Sequence, residues 1–216
     1  MIKLIAFDLD GTIGDTIPMC IKAFKKATQP YAGRELSDEE VIQTFGLNEE
    51  GMIKCVVDGT YWQLALNDFY VIYKNMHKEM CPKPFNGIYE LITLLKQKGI
   101  IVVLITGKGA NSCDITLQQF NMKTIFDKVV TGSAERNIKS EALKEVLHTY
   151  HLSTDKIVYI GDTVSDIMEC KKANVKCLSA AWSSSQNEAS ILENYNPENV
   201  FYSISSISKF LLSQIK

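Results

Sequence analysis

The stretch LIAFDLDGT, residues 4–12, places two carboxylates directly after a short apolar run. Leu4–Phe7 has the composition of a buried strand, and Asp8 and Asp10 follow it before a turn at Gly11. Asp and Gly are common turn residues, so the motif alone is also compatible with ordinary turn chemistry. Whether it marks a functional site depends on the residues that follow the later strands.

Further apolar runs alternate with segments of helical period along the rest of the chain. The predicted strands after Leu4–Phe7 are Ile100–Ile105, Lys128–Val130, Lys156–Ile160, Val175–Ser179 and Val200–Tyr202. One predicted helix begins near Asn86 and ends at Gly99, a residue suited to the left-handed position after a helix. This alternation predicts an α/β fold with a doubly wound parallel sheet.

The region from Thr16 to Met80 holds helical patterns without a convincing buried strand between them. Ser37 with Glu40 fits a capping box, and Asn48 suits the start of the next helix. Prolines that follow this region disfavour a helix and suit a linker back to the sheet. We therefore predict an inserted helical cap domain and a core domain in two pieces, residues 16–81 and residues 1–15 and 82–216 respectively.

The composition argues against several classes of protein. The 216 residues include 23 basic and 25 acidic ones, for a formal net charge of −2, and no run of like charge suggests a nucleic-acid-binding surface. The six cysteines are scattered without the spacing of a zinc site, which is typical of reduced thiols. The longest aliphatic run, Ile100–Ile105, is far shorter than a membrane span. We therefore predict a soluble cytoplasmic protein, monomeric or homodimeric, without nucleic-acid or membrane partners.

Polar residues also follow later strands. Thr106 and Gly107 come directly after the second predicted strand, where a hydroxyl and adjacent backbone N–H groups can hold a phosphate oxygen. Lys139 stands at the predicted start of an amphipathic helix, and Asp162 and Asp166 follow the fourth predicted strand. Each has an ordinary structural alternative, such as a helix cap at Asp162. Together they indicate a site, because parallel strands share the sheet edge where open α/β folds bind ligands.

Four carboxylates are predicted to meet at this edge: Asp8, Asp10, Asp162 and Asp166. Like charges this close raise one another's pKa unless a cation lies among them. Hard oxygen ligands beside a phosphate ester favour Mg²⁺. The sequence therefore predicts a magnesium site that acts on a phosphorylated substrate.

In combination and in this order, the motifs resemble those of the haloacid dehalogenase superfamily, specifically its phosphatase branch related to phosphoglycolate phosphatase. The resemblance covers essentially the whole chain, through the DxDGT motif at Asp8–Thr12, the threonine motif at Thr106, Lys139 and the GDxxxD motif at Gly161–Asp166. It implies a Rossmann-like core with a helical cap between the first two motifs. Asp10 favours the phosphatase and mutase branches, because the dehalogenases lack this acid and the transport ATPases have Thr there.

The resemblance also implies a role for each residue. Asp8 would attack phosphorus and form an aspartyl-phosphate, and Asp10 would act as the general acid and then as the general base. Mg²⁺, the expected cofactor, would be bound by the Asp8 carboxylate, the Asp10 main-chain carbonyl and Asp162. Asp166 would support that metal site. The oxygens of the transferring phosphoryl group would be held by Thr106, Gly107 and Lys139.

The sequence departs from the family pattern at two positions. Ser140 follows Lys139 where many relatives have Pro, and Gly14 replaces a usual apolar residue, which would loosen a cap hinge.

The leading hypothesis is a phosphoric monoester hydrolase, with phosphoglycolate-like compounds, sugar phosphates, nucleotides and pyrophosphate all open as the small phosphorylated metabolite. The alternatives are a phosphomutase of the β-phosphoglucomutase type and a non-catalytic binding module on the same fold.

Overall fold

Parallel strands form one sheet at the centre of the protein, whose computed structural model describes residues 1–215. The strands are β1 (Leu4–Phe7), β2 (Ile101–Ile105), β3 (Lys128–Val130), β4 (Ile157–Gly161), β5 (Lys176–Ala180) and β6 (Val200–Phe201). They are arranged in the order β3-β2-β1-β4-β5-β6. Every predicted strand is present, with its ends displaced by no more than one residue, and the predicted doubly wound α/β fold is confirmed.

Helices lie between the strands along the chain. They are α1 (Ile17–Ala32), α2 (Asp38–Ile42), α3 (Glu49–Lys54), α4 (Trp62–Met80), α5 (Ile88–Gln97), α6 (Ala110–Gln119), α7 (Lys139–Thr149), α8 (Val164–Ala173), α9 (Gln186–Tyr195) and α10 (Ile204–Gln214). The helix predicted from near Asn86 is α5, and Gly99 adopts the predicted left-handed conformation after it, with φ of 75°. Within residues 1–215, no helix combines the length and the apolar character that crossing a membrane requires.

Alternate residues of β1 face opposite sides of the sheet, and helices cover both sides. Ile5 and Phe7 belong to an apolar cluster with residues of α5, α6 and α10. Leu4 and Ala6 belong to a second cluster with residues of α7, α8 and α9. All four side chains are buried, which is why β1 appears in the sequence as an unbroken apolar run.

The register of the sheet brings the C-terminal ends of its middle strands to one edge. Phe7 of β1 is opposite Leu104 of β2 on one side and Ile160 of β4 on the other. The next residue, Asp8, donates its backbone N–H to the Ile160 carbonyl at 2.8 Å. Asp8 therefore lies beside the residues that immediately follow β2 and β4.

Along the chain, helices α1–α4 form an insertion between β1 and α5, as the helical pattern predicted. Helix α1 packs along α4, and α4 also packs against α6. The predicted capping box of Ser37 with Glu40 begins α2, and Asn48 accepts a hydrogen bond from the Gly51 N–H at the start of α3. The two connections to the core meet where the Phe85 N–H donates to the Ile13 carbonyl at 2.9 Å. The division into cap and core domains stays a prediction.

Close packing gives a structural reason for Gly14, and its predicted effect on a cap hinge stays a prediction. Its carbonyl accepts a hydrogen bond from the Gly11 N–H at 2.9 Å, which closes the turn after β1. A Cβ atom at residue 14 would lie 2.5 Å from the Cζ atom of the Phe120 ring. The Phe120 side chain is buried in the apolar cluster, so it has little room to move away.

Gly14→Ala is expected to lower the free energy of unfolding by about 1–3 kcal/mol, because the added methyl group overlaps a buried ring. Gly107→Ala is the matched control, since its φ is ordinary and a Cβ there would meet no atom within 4 Å. The control is expected to leave stability unchanged or raise it by up to about 1 kcal/mol. Urea unfolding of both variants measures the difference, and equal stabilities would contradict the packing explanation.

Candidate active site

The turn after β1 depends on a glycine that lies against a carboxylate. Gly11 has φ of 75°, and a Cβ atom there would overlap the side chain of Asp162. The Thr12 hydroxyl donates to Asp162 Oδ1 at 3.2 Å. Gly11 and Thr12 of the first motif therefore bring the turn after β1 against Asp162, which follows β4.

Lys139 lies between two buried carboxylates. Its Nζ atom is 3.1 Å from Asp8 Oδ2 and 2.6 Å from Asp166 Oδ1. Burial by itself disfavours the charged lysine, but Asp166 and Asp8 outweigh it and raise the pKa of Lys139 above its ordinary value. Lys139 is the first residue of α7, the position that the sequence predicted, and it is a fixed cation at the edge of the sheet.

Asp166 is held by hydrogen bonds to both of its oxygens. Besides Lys139, Oδ1 accepts from the Tyr159 hydroxyl at 3.0 Å, and Oδ2 accepts from the N–H and hydroxyl of Thr163 at 3.0 and 2.6 Å. Burial raises the pKa of this carboxyl, yet Lys139 and these donors keep it below its ordinary value. Thr163, and not Asp162, is the N-cap of α8. The side chain of Asp162 is thereby left for another role.

Asp8 has one oxygen engaged and one oxygen without a partner. Oδ2 contacts Lys139, whereas Oδ1 is buried and accepts no hydrogen bond within the described residues. Oxygens of Asp8, Asp162 and Asp166 lie within 4.8 Å of one another. Burial, with added repulsion from neighbouring carboxylates, raises the pKa of Asp8 to about 7 and that of Asp162 well above its ordinary value. An orphaned buried oxygen among carboxylates that resist ionisation fits a bound divalent cation.

The residues after β2 form a constrained turn. The Thr106 N–H donates to the Val130 carbonyl at 3.0 Å, and the Thr106 hydroxyl oxygen accepts from the Lys108 N–H at 3.1 Å. A Cβ atom at Gly132 would overlap the Gly107 carbonyl, so this turn lies directly against the segment after β3. Thr106 and Gly107 both face the same cavity as Asp8.

Asp10 also lies on the wall of that cavity and contacts a second lysine. Its Oδ1 atom accepts from the Thr16 hydroxyl and lies 3.3 Å from Lys108 Nζ. The Cys20 thiol is a further neighbour, with Sγ at 3.7 Å from the same oxygen. These contacts fix the orientation of the Asp10 carboxylate.

Sequence analysis did not identify Lys108 or Glu49 as part of the site. Lys108 is buried, with Nζ 3.6 Å from Glu49 Oε1 and 4.6 Å from the centre of the Tyr73 ring. Although burial opposes the charge, Asp10 and the other acidic neighbours raise the pKa of Lys108 well above its ordinary value. The only sequence signal was its place in the LITGKG turn.

Glu49 joins the helical insertion to the core. It lies in the first turn of α3, and its Oε2 accepts from the Gly109 N–H at 2.8 Å while its Oε1 accepts from the Ser112 hydroxyl at 2.5 Å. A Cβ atom at Gly109 would lie 2.6 Å from Glu49 Oε2. The carboxylate therefore occupies the N-terminal end of α6, a position where backbone N–H groups favour an anion.

The departure at Ser140 also has a structural counterpart. The Ser140 N–H donates to Glu169 Oε2 at 3.1 Å, and a proline at this position could not make that bond. Glu169 belongs to α8, so the bond ties the start of α7 to α8 beside Lys139. The first turn of α7 is thus anchored to α8 by a hydrogen bond at the position where the family pattern has proline.

A cavity of about 460 Å³ lies between the sheet edge and the helical insertion. The predicted site residues on its wall are Asp8, Asp10, Thr106, Gly107 and Lys139. Asp162 and Asp166 lie behind this wall, against Thr12 and Lys139 respectively. The structure therefore brings all seven predicted residues to one edge of the sheet.

Comparisons with known proteins agree with this architecture. The family model of haloacid dehalogenase-like hydrolases matches residues 5–180. The chain is 23% identical to pyrophosphatase PpaX of Bacillus cereus (strain B4264) over 212 residues, covering 97% of this chain and 96% of that protein. It is 26% identical to a putative pyrophosphatase PpaX of Caldanaerobacter subterraneus over 188 residues, covering 84% and 83% of the two chains.

Solved structures show the same fold. A predicted phosphoglycolate phosphatase from Haemophilus somnus superimposes with a TM-score of 0.80 at 17% identity, covering 97% of this chain and 98% of that one. A putative β-phosphoglucomutase from Thermotoga maritima superimposes with a TM-score of 0.72 at 18% identity, covering 100% of both chains. Both similarities extend over the insertion as well as the sheet.

The parallel sheet forms a Rossmann-like core, and the family match identifies the class of protein as a hydrolase. The chain belongs to the haloacid dehalogenase-like hydrolase family. The prediction of a phosphatase from this superfamily, a phosphoric monoester hydrolase, is confirmed. The roles of the individual residues remain predictions.

Proposed function

We propose that this protein is a Mg²⁺-dependent phosphatase that hydrolyses a small phosphorylated metabolite through an aspartyl-phosphate on Asp8. The observation that carries the proposal is the asymmetry of the Asp8 carboxylate. Lys139 holds Oδ2, while Oδ1 is buried and has no hydrogen-bond partner among residues 1–215. A carboxylate fixed in this way is poised to act as a nucleophile, which divides one difficult displacement into two easier steps.

The residues present fit the expected metal. The Asp8 carboxylate, Asp162 and the main-chain carbonyl of Asp10 would hold Mg²⁺, since oxygen ligands suit this cation. When bound, Mg²⁺ supplies positive charge that offsets the repulsion between an anionic nucleophile and an anionic phosphate. Both oxygens of Asp166 already accept hydrogen bonds. Asp166 would therefore support the site by fixing Lys139 rather than by binding the metal directly.

The proposed cradle for the transferring phosphoryl group lies on the same cavity wall as Asp8. The Thr106 hydroxyl, the Gly107 N–H and Lys139 would hold its oxygens, whose charge must be stabilised in the transition state. The constrained turn after β2 and the paired carboxylates around Lys139 keep these donors in place. Such preorganised donors need no rearrangement when the reaction occurs.

Asp10 is the proposed acid and base. It would protonate the leaving oxygen as the aspartyl-phosphate forms and then take a proton from the water that hydrolyses it. Thr16 and Lys108 orient its carboxylate toward the cavity. The helical insertion, residues 16–81, is proposed as a cap domain that covers the site on a core of residues 1–15 and 82–216.

A phosphomutase is the second candidate, favoured by the similarity to the putative β-phosphoglucomutase structure. It would use the same core residues but would require a bisphosphate activator. Phosphate release from a monoester in the absence of any bisphosphate supports the phosphatase. Interconversion of sugar phosphate isomers only after a bisphosphate is added would support the mutase.

Asp10→Asn tests the two-step mechanism. We expect turnover to fall by about 10²- to 10⁴-fold, because the acid and base are missing. An acyl phosphate, whose leaving group needs no protonation, should still phosphorylate Asp8, and the adduct should then hydrolyse slowly. Mass spectrometry of acid-quenched protein would detect it on a peptide that contains Asp8.

The matched control for this experiment is Asp15→Asn. Asp15 is an exposed acid five residues further along, outside the cavity wall. The control should turn over at the original rate and accumulate no adduct. Rapid turnover by Asp10→Asn, or an adduct that accumulates equally in both variants, would contradict the proposed role of Asp10.

A further inference from the structure

The side of the cavity formed by the helical insertion is mostly apolar, with Glu49 as its carboxylate. Its wall includes Phe24, Ile42, Phe45, Leu47, Met52 and Phe69. Two of these side chains are exposed to solvent, since Ile42 is 49% exposed and Phe45 is 41% exposed. Large apolar side chains gathered at the mouth of a cavity mark a surface that a ligand covers.

The cations on the cavity wall already have anionic partners. Lys139 lies between Asp8 and Asp166. Lys108 lies between Asp10 and Glu49, with Nζ at 3.3 and 3.6 Å from their oxygens. Within the described residues, the cavity wall contains no further lysine or arginine.

The N-terminal end of α6 is also taken. Its backbone could hold an anion beside Lys108, but Glu49 accepts hydrogen bonds from the Gly109 N–H and the Ser112 hydroxyl there. Glu49 is itself buried, so its charge faces the cavity and not bulk water. On the side of the insertion, a second anionic group on a substrate would meet this carboxylate and mostly apolar side chains, whereas uncharged polar residues of the wall such as Asn137, Thr163 and Ser165 belong to the core.

We infer that the substrate is a phosphomonoester whose leaving group is uncharged and predominantly apolar. This inference rests on the proposed phosphatase function and narrows its substrate class. The reaction is ROPO₃²⁻ + H₂O → ROH + HPO₄²⁻. The bond between phosphorus and the ester oxygen breaks, and that leaving oxygen receives a proton. Pyrophosphate, phosphoglycolate and sugar bisphosphates are then poor substrates, in contrast to the pyrophosphatase named among the relatives.

A matched pair of substrates tests the inference. Isobutyl phosphate and phosphoglycolate have leaving groups of similar shape, with two methyl groups in the one where the other has two carboxylate oxygens. We expect kcat/KM for isobutyl phosphate to exceed that for phosphoglycolate by about 10²-fold or more, because the carboxylate would be buried without a partner. In the series ethyl, butyl and hexyl phosphate, kcat/KM should rise by about fourfold per methylene until the cavity is filled.

Two variants address the residues that set this preference. Phe45→Lys places a cation at the exposed mouth of the cavity and should shift the kcat/KM ratio toward phosphoglycolate by about tenfold or more. Glu49→Gln removes one of the two anionic partners of Lys108 and should shift the ratio in the same direction. The matched controls are Val71→Lys, at a 62% exposed position outside the cavity, and Glu50→Gln, next to Glu49 and also outside it. Both controls should leave the ratio unchanged.

Acetyl phosphate, a small donor with an uncharged acyl group, separates the two proposals. If acetyl phosphate and all the esters release phosphate no faster with the protein than in buffer alone, the phosphatase proposal fails, and this inference fails with it. If acetyl phosphate is hydrolysed but phosphoglycolate or pyrophosphate is preferred over isobutyl phosphate, only the inference about the leaving group is overturned. A preference that does not respond to Phe45→Lys or Glu49→Gln would equally overturn the role given to this wall.

Discussion

Asp8→Asn is expected to lower phosphatase turnover by about 10⁴-fold or more and to remove the covalent adduct at the same time. A neutral amide is a poor nucleophile and a weaker ligand for Mg²⁺, so both proposed contributions of Asp8 are lost together. Phosphate release measures the first effect, and mass spectrometry of acid-quenched protein measures the second. The substitution keeps the shape of the side chain, so it changes the chemistry with little change in packing.

Loss of folding must be separated from loss of chemistry in this variant. Burial raises the pKa of Asp8 to about 7, and Asp162 and Asp166 lie close by, so a neutral residue removes repulsion from the site. We therefore expect Asp8→Asn to unfold at a temperature no lower than the original protein. An adduct that persists in this variant, or one that maps to Ser or Thr, would overturn the mechanism and leave the fold unaffected.

The sheet was predictable from sequence because buried parallel strands are short, continuous apolar runs. β1 and β3 have the predicted ends. β4 was predicted as Lys156–Ile160 and is observed as Ile157–Gly161, since the residues before it form a short 3₁₀ turn at Thr154–Lys156. The ends of strands depend on such local turns, which apolar periodicity does not report.

The main features of the acidic edge were also predictable, because the positions at the ends of parallel strands converge by topology alone. Asp8 and Asp162 follow neighbouring strands, so their proximity required only the correct strand order. The choice of helix cap was less predictable. Asp162 and Thr163 are both suitable caps, and the hydrogen bond between Thr163 and the Asp166 N–H decides between them.

The contacts between the insertion and the core could not be derived from the sequence. Glu49 and Gly109 are 60 residues apart, and nothing in the local pattern indicates that they meet. Gly14 presented the same difficulty. Its close neighbour, Phe120, is the C-cap residue of α6 and lies far from Gly14 along the chain. Local sequence fixes periodicity and caps, whereas these pairings depend on how the separate elements pack.

Removal of divalent cations by EDTA is expected to abolish turnover, and Mg²⁺ should restore it. Ca²⁺ should support turnover poorly, because its larger and looser coordination misplaces the attacking carboxylate. The same metal should stabilise the fold, with a rise in melting temperature of about 5–10 °C at 100 times its Kd. Asp162→Asn should lose most of this rise, whereas Asp58→Asn, which changes an exposed acid outside the site, should retain it. Full turnover by rigorously metal-free protein would contradict the metal requirement.

The stabilisation by Mg²⁺ is also expected to depend on pH, in a direction set by Asp8. Burial and the nearby carboxylates raise its pKa to about 7, whereas in the unfolded chain an Asp loses its proton near pH 4. Between about pH 4 and pH 7, the folded metal-free protein therefore holds a proton that the unfolded chain has lost, so its stability falls as the pH rises. Mg²⁺ needs the deprotonated carboxylate, so it competes with that proton and its apparent affinity falls as the pH drops below about 7. The melting temperature should consequently rise more on adding Mg²⁺ at pH 8 than at pH 5, and equal rises at the two pH values would contradict the coupling of metal binding to a raised pKa of Asp8.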